Sequence, residues 1–410
     1  HIVRMVNRQV GISMKRISIQ EGFIKDKNWI IGPSIVRCSK KNAPGYGSLL
    51  MIATLSDGSD SGAVTAQWRS EDGGKTFTRE RDMEYSYVCD GNGSRIKIGD
   101  GSLYADEEHD VILYIGNDAF WEKNAFESTK RCYLPYYRLS YDNGYSWTEK
   151  KFIITEGMTP QNPIPDVVYG RNMTLSCQPV IIRSADGALL VGIHTQIVNE
   201  NGRLVEPSGF HFFKAGALRG VWNGNGYSWS FGKYVSVAAD ISSRGVFEPM
   251  FVRRKGNGVM MIMRSSNSRF TDTMIPCKYY ALSDDNGITW SQAMPLLYDD
   301  GTVMYSSSSI LKPLVHSNGK VYISCVITER NAVDGNLPRY PLCIAELDTD
   351  SCTVLRSSVR IIDTKRAEYA DYTNHCIFEE PDTGKIIVLA PFWLHGPGSD
   401  MILNRYELSP

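Results

Sequence analysis

Three copies of one short motif recur along the chain and constrain its fold more than any other feature: SEDGGKTF from Ser70, SYDNGYSW from Ser140 and SDDNGITW from Ser283. They share Ser-x-Asp-x-Gly-x-x-aromatic. A worn fourth copy, WNGNGYSW from Trp222, keeps Gly226 and Trp229 but not the Ser and Asp. The pattern suits a turn between two strands: the Asp accepts hydrogen bonds from turn N–H groups, the Gly supplies a left-handed conformation, and the aromatic opens a buried strand. Asp72, Asp142 and Asp285 are therefore expected to be structural rather than catalytic.

A second repeat interleaves with the first: a short apolar strand, a turn rich in Gly and Asp, and another apolar strand. Its copies begin at Pro33, Arg95, Gln178, Glu248, Tyr305 and Tyr372, so successive starts lie 57 to 83 residues apart. The strands are rich in Val, Ile, Leu and Tyr, and no segment keeps a 3.6-residue period over helical length. Such a unit cannot bury both faces of its sheet alone. Neighbours must stack radially into a closed ring, which also protects the strand edges. The expectation is an all-β chain folded as a six-bladed β-propeller. A seventh blade is the alternative if the stretch between Tyr114 and Gln178 holds a weak one. One domain then covers residues 1–410, with 1–25 as an N-terminal segment, part of which can be a tag remnant.

Composition narrows the partners. Lys plus Arg total 44 against 45 for Asp plus Glu, so no overall field attracts a polyanion, and nucleic acid is not an expected partner. The nine cysteines include no C-x-x-C pair, and no EF-hand-like loop, His-Glu-x-x-His or phosphate-binding glycine loop occurs, so neither a metal nor a nucleotide cofactor is expected. No apolar run reaches the roughly 18 to 20 residues of a membrane helix. The start lacks the apolar core of a signal peptide, so the chain is either cytoplasmic or has had a leader removed.

In a propeller the inner strands start around the axis, and the unit starts place Gly32, Arg95, Gln178, Glu248, Tyr305, Asn374 and His375 near one mouth. Carboxylate, phenol, guanidinium and imidazole on one rim suit acid–base chemistry.

At this point the chain resembles the sialidases and the wider group of sialidase-like proteins with Asp-box (BNR) repeats. The most specific match is GVFEPMFVRRKGNGVMMIMRSSNSRF followed by YYALSDDNGITW, similar to the sialidase blade in which a Glu opens one strand and an Arg ends the next. The resemblance implies Glu248 as the base that activates a tyrosine nucleophile and Arg264 as one of three arginines that clamp a substrate carboxylate. MYSSSSILKPL is similar to the Tyr-Ser-Ser strand start of the nucleophile, implying Tyr305. The family's acid/base Asp lies about ten residues before the first Asp box, implying Asp60, with Asp57 as the alternative. Two departures stand out. Gly32 occupies the position of the first clamp arginine, and no arginine lies between Arg269 and Arg330, where the third is expected. Arg37, Arg95, Arg330 or Arg339 would have to reach in from elsewhere.

The leading expectation is an exo-acting glycoside hydrolase on an acidic or related terminal sugar, with Arg264, Arg95, Gln178, His194 and His375 as substrate-binding candidates. A polysaccharide lyase is the alternative: Arg264 would neutralise a uronate carboxylate, His194 or His375 would take the α-proton, and Tyr305 would protonate the leaving oxygen. A non-catalytic glycan-binding propeller, stacking sugars on Phe120, Trp121, Phe392 or Trp393, is the third. The partner in each case is an oligosaccharide or polysaccharide. The resemblance implies a secreted or periplasmic protein.

Overall fold

The computed structural model describes residues 17–26, 28–56, 62–122, 131–365, 371–392 and 401–410, without the side chains of Asp100, Arg131, Phe392 and Met401. Six antiparallel sheets of four or five strands follow one another around a ring. In blade I the strands run in chain order, from Trp29–Arg37 at the axis through Leu49–Ser56 and Gly62–Ser70 to Thr78–Tyr85 outside. Blade II begins with the short Tyr87–Val88 paired to Arg95–Asp106, blade III with Thr174–Leu175 and Ile182–Arg183, blade IV with Phe247–Arg253 and blade V with Lys312–Val315. Two three-residue helical turns, Arg330–Ala332 and Arg356–Ser358, are the helices among the described residues. The fold is all-β with six blades, as the repeats require. The region between Tyr114 and Gln178 holds no additional sheet among the described residues; it supplies the outer strands of blade II and the first of blade III.

Blade VI is composite. Cys376–Glu379, Ile386–Phe392 and Met401–Leu408 supply three strands, and the fourth is Ser18–Asp26 from the beginning of the chain. Ser18 pairs with Glu407 and Asp26 with Met401. Part of the segment set apart as N-terminal in the sequence therefore closes the ring.

The stacking argument is visible in the core. Six apolar clusters each lie between two neighbouring blades: Leu50 and Ile52 of blade I against Ile112 and Tyr114 of blade II, for example, and Leu49 and Met51 of blade I against Ile387 and Leu389 of blade VI. No single blade owns a core, so each blade's stability depends on both neighbours.

The three Ser-x-Asp turns occupy the same place in blades I, II and IV, joining the last two strands of each blade. Asp72 accepts the backbone N–H of Lys75 at 3.0 Å, that of Thr76 at 2.9 Å and the Thr76 hydroxyl at 2.7 Å. Asp285 repeats this with Ile288 and Thr289, and Asp142 with Ser146. Burial opposes ionisation, yet these donors outweigh it and hold Asp72 and Asp285 at about 2. Their carboxylates are consumed by the turn.

Candidate functional site

Residues from all six blades line a cavity of about 280 Å³ on the axis. Its shape begins with a backbone device shared by four inner strand starts. Gly32 (φ 57°), Gln178 (φ 47°), Glu248 (φ 49°) and Asn374 (φ 62°) are all left-handed. At Gly32 and Glu248 the register with the next strand slips, between Ile31 and Ser34 and between Phe247 and Met250. A bulge of this kind re-aims a side chain while the strand continues. For a non-glycine residue the left-handed conformation costs on the order of 1–3 kcal/mol, and such strain concentrates at functional sites.

Gly32 is glycine for a second reason: a Cβ there would sit 2.5 Å from the Gln178 side chain. The Gln178 side-chain amide donates to Asn374 Oδ1 at 3.0 Å, while Lys312 donates to the Gln178 backbone carbonyl. Gln178 thus ties blades III, V and VI together, and the cavity lining contains Cys177 and Asn374 but not Gln178.

Glu248, expected from the resemblance beside Tyr305, instead pairs with Arg264 across the first hairpin of blade IV. Arg264 Nη1 donates to both carboxylate oxygens, at 2.8 and 2.9 Å. Its remaining donors reach Ser308 Oγ (2.9 Å) and Asn336 Oδ1 (2.8 Å). Both side chains are about nine-tenths buried, at 11% exposure each. Burial pushes the Glu248 carboxyl up, but the charges of Arg264, His194 and Arg339 and the Arg264 hydrogen bonds bring it to about 2, so it is an anion at neutral pH. The Arg264 guanidinium also lies 4.6 Å from the Phe247 ring centroid, and that of Arg244 lies 5.0 Å from the same ring.

His194 lines the cavity from blade III, with its Nδ1 accepting the Glu248 backbone N–H at 3.3 Å. Burial lowers this imidazole to about 4; the Glu248 charge opposes the shift, and the Arg264 and Arg244 charges reinforce it. His194 is therefore neutral at pH 7.

Three further sequence candidates, besides Gln178, lie outside the lining. Tyr305 is not among the cavity-lining residues: its backbone bridges Cys277, and its carbonyl accepts the Thr328 N–H at 3.1 Å. Ser306–Ser309 does not continue as a strand. It folds around the buried Lys278, whose ammonium donates to the carbonyls of Ser307 (2.8 Å) and Ser309 (2.6 Å), and the strand begins only at Lys312. Ser308, not the phenol, reaches Arg264. Arg95 is exposed at the start of a 12-residue strand, and the lining residues of that strand are Lys97, Ile98 and Gly99. His375 is fully buried outside the lining, with Nε2 2.7 Å from Ser324 Oγ; burial and the Lys312 charge lower it to about 3. Asp60 and Asp57 lie outside the described residues.

Arg244 and Arg339 line the cavity together with Arg264, so three guanidiniums converge there. Arg339 also donates to Thr373 Oγ1 at 2.8 Å. Its approach was one of those left open by the sequence. Arg244 had a local signal, four residues before Glu248, but comes in on the loop preceding the strand rather than on a strand. Tyr133 was missed because it lies on Arg131–Ser140 and His211 because it lies on a loop, whereas Lys97 is two residues beyond the expected start of its unit. Trp121, proposed for sugar stacking, is 8% exposed, with the Lys97 ammonium 4.2 Å from its ring centroid. Among the described residues no cluster of three or more His, Cys, Asp and Glu could hold a metal, and no helix is long and apolar enough to cross a membrane.

Solved structures place the fold among the sialidases. A Hadza microbial sialidase, Hz136, superposes with a TM-score of 0.62 at 15% identity over 93% of this chain and 66% of that one. A Trypanosoma rangeli sialidase in complex with sialic acid gives 0.58 at 13% identity over 93% of this chain and 54% of the other. The intramolecular trans-sialidase from Ruminococcus gnavus in complex with oseltamivir carboxylate gives 0.58 at 14% identity, covering 93% and 95% of the two chains. The chain thus spans only 66% and 54% of the length of the first two. No family model matches the chain, and no curated protein matches it. At these identities the likeness establishes a sialidase-like six-bladed propeller and not an activity.

Proposed function

We propose that the axial cavity binds a terminal acidic sugar and that the protein cleaves the adjoining glycosidic bond. The observation that carries this reading is the convergence of Arg244, Arg264 and Arg339 on one lining. Guanidiniums match a carboxylate bidentately, and a hydrogen bond to a charged group is worth roughly 1.5–3 kcal/mol. Glu248 holds Arg264 in place, and Arg244 and Arg339 line the same cavity. The similarity in fold to sialidases and to a trans-sialidase favours chemistry at a glycosidic bond.

The test is turnover of fluorogenic glycosides of sialic and uronic acids beside their neutral counterparts. Release from an acidic glycoside that collapses in Arg339→Ala and Arg244→Ala supports the proposal; equal turnover of neutral sugars, indifferent to both substitutions, removes it. Tyr305→Phe tests the phenol the sequence implied, and retained turnover takes Tyr305 out of the chemistry. A second reading, β-elimination from a uronate, is favoured by one observation: Tyr133 and His211 are on the lining and Tyr305 is not. An unsaturated, ultraviolet-absorbing product distinguishes it.

A further inference from the structure

The axial cavity is rich in cationic donors and poor in anionic acceptors. Among the described residues of its lining, Lys97, Arg244, Arg264 and Arg339 face two carboxylates, Glu248 and Asp371. The first is engaged by the fold, since Arg264 Nη1 donates to both of its oxygens. The second, which belongs to no part of the site expected from the sequence, is held by one oxygen alone.

Asp371 lies between Arg360–Asp363 of blade V and Cys376–Glu379 of blade VI. The residue after it, Tyr372, is fully buried in the apolar cluster shared by those blades. The Tyr372 hydroxyl donates to the Thr364 carbonyl at 2.6 Å, and its N–H to the Arg339 carbonyl at 3.3 Å. Thr373, also buried, donates both its N–H (2.8 Å) and its hydroxyl (2.7 Å) to Asp371 Oδ1. The same hydroxyl oxygen accepts from Arg339 Nη1 at 2.8 Å. The carboxylate is thus fixed in place and tied through Thr373 to an arginine of the lining.

Oδ2 has no hydrogen-bond partner among the described residues, and it is not one of the unpaired atoms sealed off by protein. Asp371 is only 8% exposed, and it lines the cavity. A carboxylate oxygen so placed costs free energy until a donor reaches it. Other acceptors on the lining are already used within the protein. Asn374 Oδ1 takes the Gln178 amide, Asn336 Oδ1 takes Arg264 Nη2, and His194 Nδ1 takes the Glu248 N–H. A sugar hydroxyl brings a proton that no guanidinium or ammonium accepts.

We infer that Asp371 is a specificity-determining residue whose Oδ2 accepts the proton of one free hydroxyl of the bound acidic sugar, while the arginines take its carboxylate. The inference rests on the acidic-sugar reading and narrows the substrate class. The sugar must carry an unsubstituted hydroxyl on the side turned toward the junction of blades V and VI, because a buried acceptor left unpaired discriminates against a ligand lacking that group.

Calorimetry with the full chain tests this, using methyl sialoside, methyl glucuronide and derivatives of each with a single hydroxyl removed. Wild-type protein binds a parent sugar, and removal of one particular hydroxyl weakens binding by about 10- to 100-fold. Asp371→Asn keeps an oxygen for Thr373 and puts an NH2 in place of Oδ2. It binds the parent more weakly by a similar factor, and that one deoxy derivative no more weakly than wild-type protein does. A role confined to holding Thr373 and Arg339 would weaken every ligand alike, and that result overturns the assignment. A wild-type series in which no single hydroxyl matters by tenfold overturns it without any variant. Failure of wild-type protein to bind either parent overturns the acidic-sugar reading and this inference with it.

Discussion

Glu248→Gln should separate the electrostatics of the site from its shape. The substitution keeps the side-chain size and the left-handed backbone, and removes the charge. A carboxyl held at about 2 rather than 4.5 is favoured in its ionised form by on the order of 3 kcal/mol. The variant also leaves the Arg264 guanidinium buried against Ser308 and Asn336 without its counter-charge, and breaking a buried pair costs roughly 3–5 kcal/mol. The expected loss at pH 7 is therefore about 3 kcal/mol. The folded-state pKa is depressed, so this stabilisation is fully present above about pH 4.5 and is lost as pH falls through about 2. Urea unfolding of both proteins from pH 7 down to pH 2.5 measures it, and using their difference cancels the other carboxylates. The gap should narrow steadily below pH 4.5. A gap under about 1 kcal/mol at pH 7, or one that does not change with pH, refutes the coupling described here.

Arg339→Ala should lower kcat/KM for an acidic glycoside by roughly 10- to 100-fold through loss of a charge-assisted contact, with thermal stability nearly unchanged; steady-state kinetics checks it. Asp72→Ala should cost about 1–2 kcal/mol in chemical denaturation by stranding turn donors, and leave kcat as it was. Gly32→Ala should lower the melting temperature, because a Cβ would meet Gln178 at 2.5 Å on a backbone at φ 57°. Combining it with Gln178→Ala should recover only the steric part, leaving about 1 kcal/mol of backbone strain.

The blades were legible because each is specified locally. Ser70, Asp72 and Gly74 mark a turn wherever they occur, and the apolar runs around it need no distant information to become strands. Glu248 and Arg264 were legible for the same reason, being held opposite each other by a single hairpin. What failed was the extrapolation from strand starts to the axis. Tyr305 was placed by its neighbouring serines, but the carbonyls of Ser307 and Ser309 are drawn onto Lys278, a residue of another blade, and this moves the strand start seven residues on. Arg244 and Arg339 were obscured because they arrive on loops, where no period fixes direction. His211 reaches the cavity on a loop whose path brings it to Glu206 and Gln196.

The outer strand of blade VI has a bearing on how the molecule is made. During synthesis Ser18–Asp26 emerges early, yet its partner Met401–Leu408 comes after the five other blades. Until that late segment leaves the ribosome, an amphipathic stretch waits with an unsatisfied edge, and blade I lacks one of the two faces against which it packs. Ring closure is accordingly a late, long-range event. The interval before it is when the nascent chain is most open to mispairing with a second copy and most in need of a holding chaperone.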